Sequence, residues 1–127
     1  MYKNKLFNTK DPIQYLNKYL DDKYNLIKKI DNKLFLQILK TVDKTIKQNN
    51  NIFVCGNGGS ASTSNHFCCD FIKQISEHTK LKPKVFSLSN NIETITAISN
   101  DDSFNKVFSF QAKNLIRKQD LIIIFSV

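Results

Sequence analysis

His66 and Asp70 are the two side chains in this sequence whose types and spacing best suit chemistry. At positions i and i+4 of a helix they stand about 40° apart around the axis, so both face the same side. A histidine and a carboxylate placed in this way can ligate one metal ion or move a proton on a substrate. The same pair can also be a surface contact that stabilises its own helix, and both interpretations stay open at this point.

The turn that precedes this pair, GNGGS at 56–60, holds all three glycines of the chain. It follows a short apolar run at 52–55 and leads into the helix that carries His66. Glycine lets the backbone turn sharply and approach an anion, and the N–H groups of a helix start then point at that anion. Hydroxyl donors are added by Ser60, Ser62, Thr63 and Ser64. The pattern favours phosphate binding over a plain turn with an N-cap serine, because one cap needs neither three glycines nor four hydroxyls.

The kind of phosphate ligand is narrowed by two features that the sequence lacks. Gly56-x-Gly58-x-x-Ala61 matches the loose dinucleotide fingerprint, but the second strand ends in SLSN at 87–90, without the acidic residue that holds a ribose. A nucleotide P-loop would need a lysine after the glycines, and none is present. A sugar phosphate held by backbone and hydroxyl groups fits the sequence better.

The elements that position these residues follow from periodicity and turn signals. Asp11-Pro12 predicts a helix start, and a second helix is predicted at about 31–48. Three strands at 52–55, 85–88 and 121–127 are separated by helices at about 60–76, 91–99 and within 102–118. This alternation predicts an α/β fold with a doubly wound parallel sheet, in which the isoleucine run 122–124 forms a central buried strand. We expect an N-terminal helical arm, 1–50, followed by an α/β domain, 51–127.

Composition bounds the function classes. The net charge is +8, but every basic residue except Arg117 is a lysine and they are scattered, so we do not predict nucleic-acid binding. The longest apolar run, 121–125, is too short to span a bilayer, and we expect a cytoplasmic protein without a membrane partner. Cys55, Cys68 and Cys69 indicate small buried thiols rather than a disulfide framework or a zinc cluster.

Three blocks of the sequence resemble the sugar isomerase (SIS) domain family, in particular its phosphoheptose isomerase branch. NIFVCGNGGSASTSNHFCCDF, 51–71, is similar to the family's first phosphate loop and helix. The block 86–115 is similar to the next segment, and KQDLIIIFSV, 118–127, to the strand that leads into the second phosphate loop. The resemblance covers about residues 31–127 and implies a Rossmann-like, three-layer SIS fold.

The resemblance also implies an activity and a set of site residues. The activity is the conversion of sedoheptulose 7-phosphate to D-glycero-D-manno-heptose 7-phosphate, with zinc as cofactor. His66 would be a zinc ligand, and Asp70 would be a zinc ligand, a substrate contact and the proton-transfer base. The further substrate contacts implied by position are Asn57, Gly58, Gly59, Ser60, Asn100, Asp101 and Ser126.

Two departures from the family pattern shape the expectation for this chain. Asp70 stands where the family's isomerases have Glu, which withdraws the carboxylate by about 1.5 Å. The family continues past the position of Val127 with a second phosphate loop and further metal ligands, so we expect a fragment that is inactive alone. The resemblance implies a homo-oligomer, often a tetramer, with the N-terminal helices between subunits. The alternative hypothesis is a non-catalytic SIS module that binds a phosphosugar or a partner protein.

Overall fold

The computed structural model describes residues 11–126, and the chain divides into two compact units, Met1–Ile38 and Leu39–Val127. The first unit contains helix α1, Pro12–Lys28, and the beginning of helix α2, Asn32–Lys47. The rest of α2 and all three strands belong to the second unit. The division predicted between the arm and the α/β domain, at 50/51, stays a prediction.

The start of α1 at Asp11 is confirmed. The Asp11 carboxylate oxygen Oδ1 accepts the N–H groups of Ile13 at 3.0 Å and Gln14 at 3.1 Å. Asp31 caps α2 in the same way. Each aspartate satisfies N–H groups that a helix start leaves without an intrahelical partner, which is why the short polar residue sets the boundary.

The second unit is built on a three-stranded parallel sheet in the order β2-β1-β3. β1 spans Asn51–Cys55, β2 spans Lys84–Ser87 and β3 spans Leu121–Ile124. Between β1 and β2 lie helix α3, Gly59–Asp70, a π-helical segment, Phe71–Ile75, and the short helix α4, Ser76–His78. Between β2 and β3 lie helix α5, Ile92–Asp101, a 3-10 turn, Phe104–Lys106, and helix α6, Val107–Leu115. The predicted alternation of strands and helices is confirmed.

The sheet is packed on both faces, as a doubly wound fold requires. One core contains Ile46, Ile52, Val54 and Val85, with Phe67, Phe71 and Phe125 packed against it. The other contains Phe53, Cys55 and Leu88, with Phe108, Ala112 and Ile116. Successive residues of β1 enter opposite cores because side chains alternate along a strand. The central strand is therefore apolar without interruption from residue 52 to residue 55.

β3 differs from its prediction. The run 122–124 was expected to be a central strand buried on both sides, yet in the described sheet β1 is central and β3 lies at an edge. Ile122 and Ile124 are 40% and 68% exposed. Leu121, Ile123 and Phe125 pack against the first core, whereas the second core within residues 11–126 includes no residue of β3.

The helix predicted at 60–76 consists of three pieces. α3 ends at Asp70, and the π-helical segment then widens the backbone from Phe71 onward. The rings of Phe67 and Phe71 stack with centroids 4.2 Å apart, and Phe67 also contacts Phe125 at 5.7 Å. The change of helix type therefore begins directly after Asp70, the residue singled out for proton transfer.

The cysteines do not share one environment. Cys55 is buried and Cys68 is half-buried, and burial raises the pKa of both thiols. Cys69 is exposed, so the prediction of buried thiols is wrong for this residue. It lies on the side of α3 that faces away from the sheet.

Candidate functional site

The glycine turn, residues 56–59, lies at the carboxyl end of β1, the central strand of the sheet. β2 pairs with one side of β1 and β3 with the other, so the connections diverge at this edge. Such a switch point in a parallel sheet leaves a crevice where ligands bind. The Phe125 N–H donates to the Cys55 carbonyl at 2.9 Å, which extends the pairing of β1 and β3. Ser126, which is exposed, therefore follows the end of β3 on the same side of the sheet as the glycine turn.

The three glycines of the turn differ in whether the structure requires glycine at their position. A Cβ at Gly56 would lie 2.6 Å from the Ser60 Cβ, so only glycine fits there. Gly58 has a φ of +54°, which side-chain-bearing residues rarely adopt. A Cβ at Gly59 would meet no atom of residues 11–126 within 4 Å. Packing among these residues does not require glycine at 59, whereas a ligand that approaches the helix start closely would.

The backbone donors of the turn differ from those expected. The amides of residues 60–62 donate to the carbonyls of Asn57 and Gly58 at 2.9 to 3.3 Å, so the first turn of α3 uses its own N–H groups. Within residues 11–126, the amides of Asn57, Gly58 and Gly59 have no hydrogen-bond acceptor. The free donors therefore belong to the exposed turn itself, and three in succession suit an anion or a polar sugar.

Two of the four expected hydroxyl donors are already used. Thr63 donates to the Gly59 carbonyl at 3.1 Å, and Ser64, which is fully buried, donates to the Ser60 carbonyl at 2.9 Å. A hydroxyl has one hydrogen, so neither donates to a ligand while these bonds are made. The expectation is wrong for Ser64, whose hydroxyl is buried, and it stays a prediction for exposed Thr63 and for Ser60 and Ser62.

Ser89 is a residue of this site that sequence reasoning missed. Its Oγ accepts the Gly56 N–H at 3.0 Å and donates to the Gly56 carbonyl at 2.8 Å. The Ser89 N–H in turn donates to the Ser87 Oγ at 3.1 Å. These bonds join the end of β2 to the beginning of the turn. The available signal was a serine at the carboxyl end of a strand that neighbours the glycine turn.

The structure brings His66 and Asp70 together on one face of α3. The His66 Nε2 lies 3.5 Å from the Asp70 Oδ2, and the two side chains are 76% and 51% exposed. Phe67 and Cys68 pack on the sheet side of the same helix. The shared outer face that helical spacing predicts is thus observed, while the catalytic and metal-binding roles stay predictions.

The zinc implied by the resemblance can be tested against these donors. An imidazole and a carboxylate are suitable zinc ligands, but a zinc site needs four ligands, of which at least three come from the protein. Among residues 11–126, no cluster of three or more histidine, cysteine or carboxylate side chains could hold a metal ion. His66 and Asp70 fit by type, and the described residues do not complete the site.

Asn100 and Asp101 lie at the end of α5. The Asn100 Nδ2 donates to the Asp101 Oδ1 at 2.8 Å, and both residues are exposed. No hydrogen bond in the described part of the chain joins this pair to the glycine turn. Their contact with a substrate stays a prediction, as does that of Ser126.

Comparison with known proteins places this geometry in a family. Residues 18–127 match the SIS domain. A phosphoheptose isomerase of Crocosphaera subtropica is 29% identical over 111 residues, which are 84% of this chain and 56% of that protein. A phosphoheptose isomerase of Colwellia psychrerythraea is 38% identical over 77 residues, which are 61% of this chain and 39% of that protein.

Two solved structures have the same fold. A phosphoheptose isomerase from Neisseria gonorrhoeae superposes with a TM-score of 0.78 at 24% identity, covering 91% of this chain and 58% of that one. One from Francisella tularensis gives 0.80 at 21% identity, covering 92% and 62%. The chain thus spans between 39% and 62% of the length of these relatives. Because the family match extends over residues 18–127, the chain belongs to the SIS domain family.

Proposed function

We propose that the whole protein is a phosphoheptose isomerase that converts sedoheptulose 7-phosphate to D-glycero-D-manno-heptose 7-phosphate. The observation that carries this proposal is the exposed run of Asn57, Gly58 and Gly59, whose amides have no acceptor within residues 11–126. The run lies at the switch point of the sheet and leads into the helix of the His66–Asp70 pair. The names of the relatives, which are phosphoheptose isomerases, support the same activity.

In this proposal the glycine turn binds the oxygen atoms of the sugar phosphate. The three free amides donate to it, and the Ser60 hydroxyl adds a donor at the helix start. The net charge of +8 favours the approach of an anionic substrate. Asn100, Asp101 and Ser126 are proposed as further substrate contacts.

The chemical step needs one base and no redox partner. Asp70 removes the proton from the carbon beside the ketose carbonyl while the carbonyl oxygen gains a proton, which gives an enediol. The proton then returns to the former carbonyl carbon, and the neighbouring hydroxyl oxygen gives up its own proton to become the aldehyde. The carboxylate is half exposed, so a substrate can reach it without a rearrangement of α3. The helix rise places Asp70 roughly 16 Å along the axis from Gly59. We therefore assign the turn and the base to opposite ends of an extended substrate.

We also propose zinc at this site, held by His66, Asp70 and ligands outside residues 11–126. When bound, the ion would supply positive charge to the oxyanion of the enediol. His66 would coordinate through a ring nitrogen, and Asp70 would serve the metal and the substrate from the same face of α3.

The proposed assembly is a homo-oligomer, most simply a tetramer. α1 buries none of its residues. Its exposed apolar residues lie at helical spacing and include Ile13, Leu16, Leu20 and Ile27. An apolar stripe of this kind suits contact with another copy.

We propose a cytoplasmic enzyme whose product is a heptose for lipopolysaccharide or another surface glycan. No helix among residues 11–126 has the length and apolar character needed to cross a bilayer.

An isomerase assay on the full-length protein with zinc supplied tests the proposal. We expect conversion of sedoheptulose 7-phosphate, and loss of that conversion with Asp70→Asn. A well-folded, zinc-loaded protein that binds the substrate but does not convert it would overturn the isomerase assignment.

Two observations favour a second candidate, a non-catalytic SIS module that binds a phosphosugar or a partner protein. The pair of His66 and Asp70 is largely exposed, and Asp70 is one methylene shorter than the Glu that the family resemblance implies. Asp70→Glu discriminates between the two. A gain of activity supports the enzyme, whereas binding without turnover in both forms supports the module.

A further inference from the structure

Gln111 is a buried polar residue that lies outside the candidate site. It belongs to α6 and is 6% exposed. Its Nε2 donates to the Leu88 carbonyl at 3.0 Å and to the Val107 carbonyl at 2.9 Å. Because a carboxamide nitrogen carries two hydrogens and a carbonyl only accepts, both donors are used and the orientation of the side chain is determined. Gln111 therefore joins the residue after β2 to the beginning of α6.

The peptide group between Leu88 and Ser89 is held at both of its polar atoms. Gln111 donates to its carbonyl oxygen, and its N–H donates to the Ser87 Oγ at 3.1 Å. Gln111 and Ser87 are both buried, so water is largely excluded from these two bonds. The peptide group cannot rotate about the chain without breaking one of them. Its orientation in turn decides where the Ser89 side chain projects.

Ser89 carries this orientation to the glycine turn. Its Oγ accepts the Gly56 N–H and donates to the Gly56 carbonyl, and both bonds require the hydroxyl to lie in one place. The free amides of residues 57–59 follow directly in the chain. The position of the proposed sugar-phosphate donors thus depends on the peptide group that precedes Ser89, and through it on Gln111.

The same carboxamide is bonded to both ends of the segment 89–106. Leu88 precedes this segment and Val107 follows it, and each is 2% exposed. The segment contains α5, which ends in the Asn100–Asp101 pair. The side chain that acts through Ser89 on the glycine turn therefore also fixes the ends of the segment that carries the other proposed substrate contacts.

We propose that Gln111 is a positioning residue of the sugar-phosphate site, which holds the glycine turn and the segment 89–106 in a fixed relation. This inference rests on the proposed function. Groups that contact a substrate bind it well only when the residues behind them hold them in place. In the described part of the chain Gln111 makes no hydrogen bond to α3, which carries the proposed base Asp70. Loss of Gln111 should therefore weaken substrate binding more than it slows the chemical step.

The first test measures amide hydrogen exchange by NMR on the full-length protein without substrate. Gln111→Met keeps a similar side-chain volume and removes both donors. We expect exchange at Gly56 and Ser89 to be roughly tenfold faster or more in this variant, relative to the fully buried Val54 of the central strand. Unchanged exchange at both amides would overturn the proposal.

Asn114→Leu is the matched control on the same helix. The Asn114 Nδ2 donates to the Phe110 carbonyl at 2.8 Å, so that bond stays within α6, and the side chain is exposed. This change removes a carboxamide as Gln111→Met does, but it does not touch the residue after β2. We expect it to leave exchange at Gly56 and Ser89 as it is. Equally faster exchange in both variants would mean that general loosening of α6 is the cause, and would overturn the proposal.

Kinetics supply a readout that loss of folded protein does not move. With zinc supplied, Gln111→Met should raise the KM for sedoheptulose 7-phosphate roughly tenfold or more and change kcat by less than about threefold. A smaller amount of folded protein would instead lower the apparent kcat and leave KM as it is, and that result would also overturn the proposal.

Two further outcomes are kept apart by the design. If the unaltered protein does not convert the sugar phosphate, the proposed function fails, whereas exchange at Gly56 and Ser89 still decides whether Gln111 positions the turn. If Gln111→Met does not fold, Ser87→Ala releases the same peptide group at its N–H. Faster exchange at Gly56 in that variant supports the proposal, and unchanged exchange overturns it.

Discussion

The hydroxyl of Ser89 binds both backbone groups of Gly56. Its Oγ accepts the Gly56 N–H at 3.0 Å and donates to the Gly56 carbonyl at 2.8 Å. Ser89 follows β2 and Gly56 begins the glycine turn, so one side chain fixes the turn against the neighbouring strand. The position of the proposed sugar-phosphate donors thus depends on a residue 33 positions away in sequence.

Ser89→Ala should destabilise the protein and loosen the turn. The change leaves the N–H and C=O of buried Gly56 without partners, which costs about 1–3 kcal/mol in the free energy of unfolding. We expect a raised KM for the sugar phosphate in addition, measured on the folded protein. Ser109→Ala, which removes an exposed hydroxyl bonded to the Lys106 carbonyl, is the control. Equal effects of the two changes in urea unfolding would contradict a special role for Ser89.

Gly56→Ala and Gly59→Ala should separate folding from ligand binding. The new methyl at 56 would lie 2.6 Å from the Ser60 Cβ and 2.8 Å from the Ser60 backbone, so we expect a loss of about 1–3 kcal/mol in stability. The methyl at 59 would have no atom of the described residues within 4 Å, and alanine favours a helix more than glycine, so stability should hold or rise. Calorimetric titration with sedoheptulose 7-phosphate should show at least tenfold weaker binding for Gly59→Ala. Undiminished binding would mean that the open surface at Gly59 is not used.

His66→Ala and Asp70→Asn should affect metal binding and activity far more than stability. The two side chains are exposed and 3.5 Å apart, and exposed pairs of this kind contribute about 0–1 kcal/mol. We expect less than about 0.5 kcal/mol of destabilisation, together with loss of bound zinc measured by elemental analysis of the full-length protein. Asp43→Asn, which breaks the exposed pair with Lys47, is the control and should retain the metal. Zinc retention in both site variants would place the metal elsewhere.

Asp120 should make the stability of the sheet depend on acid pH. Partial burial raises the pKa of this carboxyl, but the N–H groups of Arg117 and Asn51 and the Arg117 charge outweigh burial, so the pKa lies below its ordinary value of 3.8. The Asp120 oxygens accept these N–H groups at 2.9 and 2.8 Å. Because the folded pKa is the lower one, the stabilisation is complete above about pH 4 and is lost as the pH falls through the folded pKa.

The measurement is the free energy of unfolding at pH 5 and at pH 3 for the unaltered protein and for Asp120→Asn. We expect the difference between the two pH values to shrink in the variant, since the carboxamide does not ionise. Asp22→Asn, on exposed α1, should leave that difference as it is. An identical pH difference in Asp120→Asn would rule out this carboxylate as a source of acid sensitivity.

Much of the fold was predictable because its signals are local. Asp11 and Asp31 mark helix starts through hydrogen bonds to N–H groups two and three residues away, a range that the sequence displays directly. The apolar run of β1 and its flanking glycines likewise indicated a strand followed by a turn. The face shared by His66 and Asp70 follows from the helical repeat alone.

Two features could not be predicted from the sequence. The hydroxyls of Thr63 and Ser64 donate to helix carbonyls four residues back, and the sequence does not decide between that bond and one to a ligand. Ile122 and Ile124 are exposed because the second core within residues 11–126 includes no residue of β3, and such covering depends on residues distant in the chain.

The sequence by itself determined the kind of fold, the glycine turn and the facing pair on α3, because turn chemistry and helical periodicity act within a few residues. Only the tertiary structure decided which amides of the turn remain free and that Ser89 holds Gly56. Both depend on which strands lie side by side, and that arrangement results from burying both faces of the sheet at once.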